Sequence, residues 1–140
     1  MPRPPIITKL ETLVDFQKLL IDNPGVVILK FGAEWCGPCK TIEPTVDKWY
    51  SVMPENVQCC KIDVDESFEV YGFLKSKRRI NGIPAILAYK KGNINYIPDD
   101  MTAGADMNQT NAFFKRCGDF AVTSAKNVPI VTPTQSTGNP

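Results

Sequence analysis

The chain has 140 residues, 43% hydrophobic and 9% aromatic, which suits one domain with short tails and a sizeable core. Sixteen basic residues against fifteen acidic give a formal charge of +1, so no global field argues for nucleic acid, a membrane surface or a polyanionic substrate. No apolar stretch approaches the roughly 20 residues of a spanning helix, and the absence of histidine excludes imidazole catalysis.

In chain order, "IITKLE" (6–11) reads as a short strand. Thr12, with Asp15 three residues on, predicts a capping box that opens a helix carrying Leu13, Phe16, Leu19 and Leu20 on one face; Asn23-Pro24-Gly25 ends it. "VVILKF" (26–31) is β-branched and almost continuously apolar, as in a central strand covered on both faces, except for Lys30. Ile42, Val46, Trp49 and Tyr50 then recur at helical spacing, with Pro44 predicting a kink. "VQCCKIDVD" (57–65) reads as a third strand and "ESFEVYGFLKSKRR" as a helix with a basic end. "IPAILAYKKGNINYI" reads as an antiparallel hairpin around a Lys-Gly turn, and a last helix is expected at about 106–117. The order predicts an α/β fold, a central mixed β-sheet with helices on both faces.

The expected division is an N-terminal extension at 1–5, a domain at 6–118 and a polar tail at 119–140. The tail from Ala121, rich in Pro, Thr, Ser, Asn and Gly, is expected to be disordered or to lie against a partner or neighbouring subunit.

Five cysteines, at 36, 39, 59, 60 and 117, lack the even spacing of a secreted disulfide scaffold, so most are expected to be free thiols in a reducing compartment. Four of them could supply sulfur to zinc on paper, but adjacent strand residues such as Cys59 and Cys60 point to opposite faces. They read instead as one core-filling and one partly exposed thiol, with a regulatory or intermolecular disulfide as the alternative. "KSKRR" (75–79) reads as a solvated helix end, or an acidic-partner surface.

"LKFGAEWCGPCK" carries the chemistry. A cysteine where a strand gives way to a helix faces unpaired N–H groups and the positive end of the helix dipole, which favour a thiolate. Cys36 is therefore the expected nucleophile and Cys39, one turn on, the resolving thiol; Pro38 suits the first turn of the helix.

"AEWCGPCK" resembles the active-site signature of the thioredoxin family, and "KIDVD" and "NGIPAILAYKKG" resemble that family's third strand and cis-proline strand; the resemblance covers about 6–118. It implies the thioredoxin fold, with Ile83-Pro84 as a cis peptide beside the dithiol. It also implies a substrate-binding surface from Trp35, Gly37, Pro38, Ile83, Pro84 and Gly104. Protein disulfide substrates, a reductase or other electron donor, no organic cofactor and no metal are further implications. Relative to a minimal member, the stretches before "NGIP" and within "NYIPDDMTAGAD" are each longer by about a turn.

The sequence departs from the family at one buried position. Where such proteins usually carry an aspartate or glutamate six residues before the first cysteine, this chain has Lys30, and Lys61 aligns with the lysine that partners that acid. An ammonium cannot serve as a base, and a buried lysine either loses its proton or finds a carboxylate. Lys30 and Lys61 are thus expected to modulate the site, by one of three routes: a snorkelling Lys30 with a structural role, a retuned redox pair, or lost chemistry. The functional expectation is a thiol-disulfide oxidoreductase of the cytoplasm. The alternative is a thioredoxin-fold structural or adaptor subunit of a larger assembly, such as a large viral capsid.

Overall fold

The sheet is organised around "VVILKFG", whose seven residues are all buried. A strand with no solvent face must be flanked on both edges and covered on both faces. In the computed structural model, which describes residues 3–126, the elements run α1 (Leu13–Ile21), β1 (Val26–Gly32), α2 (Gly37–Val52), β2 (Val57–Asp63), α3 (Phe68–Ser76), β3 (Ala85–Lys90), β4 (Asp100–Ala103) and α4 (Met107–Lys126). The four strands lie in the order β2-β1-β3-β4. β1 pairs parallel with β2 and antiparallel with β3, and β3 pairs antiparallel with β4. This is the mixed α/β sheet expected from the order of elements.

Strand parity sorts the core into two layers. Val27, Leu29 and Phe31 face Phe16, Leu20, Val70 and Leu74 of α1 and α3. Val26 and Ile28 face Ile42, Val46, Phe113 and Phe114 of α2 and α4. Cys60 belongs to the first layer and Cys59 to the second, so the adjacent thiols do point to opposite faces, but both are buried and neither is partly exposed.

The capping box forms as the sequence requires: Thr12 Oγ1 accepts from Asp15 N–H and the Asp15 carboxylate accepts from Thr12 N–H. Three elements differ from expectation. Residues 6–11 make only one bridge, Ile7 to Cys60. Ile7 donates to Cys59 O and accepts from Lys61 N–H, but the N–H of Leu10 is taken by the buried Ser67 hydroxyl, which turns the chain off the sheet.

The second arm of the hairpin is Asp100–Ala103 rather than "INYI". Asn93 and Asn95 each accept a backbone N–H two residues on, and the Asp99 carboxylate takes the N–H of Lys90. Such local side-chain bonds replace the ladder with a compact loop.

The last helix continues to Lys126, nine residues past its expected end at Cys117. Its inner face is the series Phe113, Phe114, Cys117 and Ala121, all buried, and Asn56 Nδ2 donates to Ala121 O. The boundary at 118 therefore falls inside a helix, and of the expected tail the segment 127–140 lies outside the described residues. Among the described residues no helix is long and apolar enough to cross a membrane.

Replacing Ala121 with Asp puts an unpaired carboxylate into that layer, and the expected cost is about 3 kcal/mol in urea unfolding. A change within about 0.5 kcal/mol would show that α4 does not pack there.

Candidate active site

The end of β1 and the start of α2 are joined by four residues, Ala33 to Cys36, and the two site cysteines follow from that turn. Cys36 is the N-cap of α2, in extended conformation, and its Sγ accepts the backbone N–H of Cys39 at 3.2 Å. A sulfur thus takes the position in which serine or threonine oxygens usually satisfy the first free N–H groups of a helix. Pro38 occupies the first turn, where a missing N–H leaves no helix bond unmade. Cys36 and Cys39 are joined as a disulfide with their Cα atoms 5.3 Å apart. Both are nearly buried, at 5% and 2% exposure.

Gly32 admits the second sulfur. A Cβ at this glycine would stand 3.4 Å from Cys39 Sγ and 3.8 Å from Lys30 Cε, so the thiol and the stem of the lysine close over the same backbone position.

Around the disulfide, the Ile83-Pro84 bond is cis and the carbonyl oxygen of Ile83 lies 3.9 Å from Cys36 Sγ. Gly104, at φ +84°, donates its N–H to Pro84 O at 2.9 Å, which fixes the loop after β4 against the proline strand. Trp35 is 70% exposed, and its ring nitrogen donates to Asp65 Oδ2 at 2.8 Å. Gly37 and Pro38 are exposed, Ile83 is half-buried and Pro84 is buried. Asp65 was not among the sequence candidates; it tethers an otherwise free indole, and only the "KIDVD" strand end hinted at it.

The carboxylate that a buried Lys30 needs is a residue the sequence alone did not single out. Lys30 and Lys61 are direct Cα partners across β1 and β2 and point to the α2 side. Glu43 of α2 reaches between them, with Oε1 3.5 Å from Lys30 Nζ and Oε2 3.4 Å from Lys61 Nζ. Asp47, one turn further along the helix, pairs with Lys61 as well. Burial opposes the charge on Lys61, but hydrogen bonds and attraction from Asp47 and Glu43 outweigh it and raise its pKa. Lys30 is the inner partner, its side chain 6% exposed against 45% for Glu43. The signal for Glu43 was its spacing: Cys39, Glu43 and Asp47 fall four apart on one helical face. An open cleft of about 340 Å³ is lined by Cys39, Lys30, Glu43, Lys61, Asp63 and Glu34, among others.

The remaining cysteines have a different environment. Burial pushes the Cys59 thiol up to about 12, against a smaller lowering by Arg3. Cys60 is pushed well up by burial and then by Cys59, and Cys117 is raised by burial and then by Asp100. These are inert thiols, and no three Cys, Asp or Glu among the described residues group to hold a metal.

Similarity to known proteins follows the same outline. The thioredoxin family model matches residues 7–116. Mitochondrial thioredoxin of Mus musculus is 29% identical over 102 residues, which are 73% of this chain and 57% of that protein. The chain thus spans a little over half the length of that relative. Thioredoxin of Bacillus subtilis is 40% identical over 72 residues, 51% of this chain and 65% of that protein. The oxidized crystal structure of mitochondrial thioredoxin 3 from Saccharomyces cerevisiae superposes with a TM-score of 0.62 at 29% identity, covering 79% of this chain and 94% of that one.

The raised thiols set a pH limit on stability. A group whose pKa is higher in the fold than in the open chain stabilises fully below its unfolded value, and that contribution is lost as pH rises through the folded value. With thiols ordinarily near 9.0 and Cys59 moved to about 12, the oxidised protein should hold its urea midpoint up to about pH 9 and lose it progressively above. Cys59→Val should flatten the decline; a midpoint constant to pH 11 would contradict the burial argument.

Proposed function

From the premise that this chain belongs to the thioredoxin family, we propose that it is a thiol-disulfide oxidoreductase acting on protein disulfides, with Cys36 as nucleophile and Cys39 as resolving thiol. The observation that carries this reading is the Cys36 sulfur at the N-cap of α2, bonded to Cys39 and within 3.9 Å of the Ile83 carbonyl.

In the reduced protein, the helix terminus and the Cys39 N–H favour the Cys36 thiolate. The thiolate attacks one sulfur of a substrate disulfide, forms a mixed disulfide and releases the other substrate sulfur as a thiolate, which takes a proton. Cys39 then loses its proton and attacks Cys36; the Cys36–Cys39 disulfide forms and the second substrate thiol leaves. Two electrons pass to the substrate, and an external thiol donor or partner reductase returns them. No further group is required, because both redox equivalents reside in the two sulfurs.

Substrate recognition follows from the surroundings. Trp35, Pro38 and Ile83 give an apolar rim, and the backbone of Ile83 is available to an extended segment because the following proline has no N–H with which to extend a ladder. Trp35, held by Asp65, is presented rather than packed inward.

The test is reduction of insulin by dithiothreitol. The wild-type chain should accelerate it, Cys36→Ser should remove the acceleration, and Cys39→Ser should accumulate a covalent mixed disulfide that excess dithiothreitol releases. A wild-type rate equal to dithiothreitol alone would overturn the reading and favour an adaptor use of the fold.

A further inference from the structure

Resolution makes a demand that the first attack does not. Cys39 must be deprotonated to displace the substrate from Cys36, yet its thiol is only 2% exposed, and β1 offers a lysine where a base would be useful. An acid able to serve must come from an element other than β1.

Three carboxylates line the cleft that Cys39 shares. Glu34 lies on the exposed connection between β1 and α2. Asp63 ends β2, and its Oδ1 accepts the backbone N–H of Asp65 at 2.7 Å, holding the turn that carries the Trp35 tether. Glu43 follows Cys39 by one helical turn on the same face of α2. Its two oxygens are fixed by ammonium groups from two strands, Lys30 of β1 and Lys61 of β2. The stem of Lys30 in turn lies over Gly32 beside the Cys39 sulfur.

We propose that Glu43 is the proton acceptor for Cys39 in the resolving step, working through solvent in the cleft, and that Lys30 is a positioning residue that holds this carboxylate. The acid of the site is then carried by α2, and the lysine in β1 is its anchor. The inference rests on the dithiol reading above. The charged groups facing Glu43 are Lys30 from β1, Lys61 from β2, Lys40 and Asp47 from its own helix, and Asp63 and Glu34 at the rim.

The step balances. The Cys39 S–H proton passes to the Glu43 carboxylate as the Cys39 sulfur bonds to Cys36, and the bond from Cys36 to the substrate sulfur breaks. The departing substrate thiolate receives a proton from the cleft, which restores the Glu43 carboxylate. Taken with the first attack, which released the other substrate thiol, Cys36 and Cys39 are oxidised by two electrons in all and the substrate disulfide is reduced by two.

Oxidised glutathione is the probe. Reduced protein is mixed with it, quenched in acid, and the Cys36–glutathione adduct is followed by mass as it forms and decays. In Glu43→Gln, formation should not slow, whereas decay should slow at least about tenfold at pH 7. Decay in the wild type should be nearly flat from pH 6 to 8; in Glu43→Gln it should rise with pH with a slope of about one, as expected when no general base assists. Glu43→Asp should recover part of the rate, and Glu34→Gln, which removes an equal charge from the rim, should leave both phases unchanged. An unchanged decay in Glu43→Gln, or equal slowing of both phases, overturns the assignment. If the wild type forms neither the adduct nor the Cys36–Cys39 disulfide with release of reduced glutathione, the dithiol reading itself fails and the inference falls with it.

Discussion

An ammonium group at the end of a fully buried strand is the constraint around which this site is built. β1 is paired on both edges and covered on both faces, so Lys30 cannot reach water along the strand, and its side chain must leave through the cleft beside Gly32. Burying a charge without a partner costs several kcal/mol, and the partner is supplied by α2. Because Cys36 caps α2 and Cys39 lies in its first turn, the ion pair that satisfies Lys30 also fixes the helix that places both cysteines.

The consequences extend outward from that pair. Lys61 sits opposite Lys30 in the parallel register, and a single carboxylate serves both, with Asp47 taking up the remaining charge on Lys61. Two cations and two anions thus alternate across β1, α2 and β2 on the flank of the dithiol. On its other side the Ile83 carbonyl lies beside the sulfur of Cys36, and the Gly104 N–H after β4 holds the adjoining Pro84 through its carbonyl. The chemistry is therefore lopsided: the charge needed to move protons lies toward Cys39, and the neutral surface suited to a protein substrate lies toward Cys36.

Much of this was readable from residue patterns whose physics is local. The capping box at Thr12, the helix cap at Cys36 and the continuous apolar run of β1 depend on neighbours a few positions away, and they formed as the sequence required. Glu43 was not read because its meaning depends on the register that sets Lys30 against Lys61, although its place four residues after Cys39 was visible. The strand expected at 6–11 shrank to one bridge because Ser67, more than fifty residues away, takes the N–H of Leu10. The end of α4 was placed too early because polar composition masked the spacing of Phe113, Cys117 and Ala121, three buried positions four apart. In each case the deciding contact was long-range or weak in composition but regular in period.

The central claim is that Lys30 and Glu43 act as one unit, and a double-mutant cycle in unfolding free energy tests it most directly. Glu43→Gln alone leaves the inner ammonium without its partner, whereas Lys30→Met removes the buried charge altogether. The account predicts that Glu43→Gln destabilises a wild-type background by at least about 1 kcal/mol more than a Lys30→Met background. Additive effects, within about 0.3 kcal/mol, would contradict it.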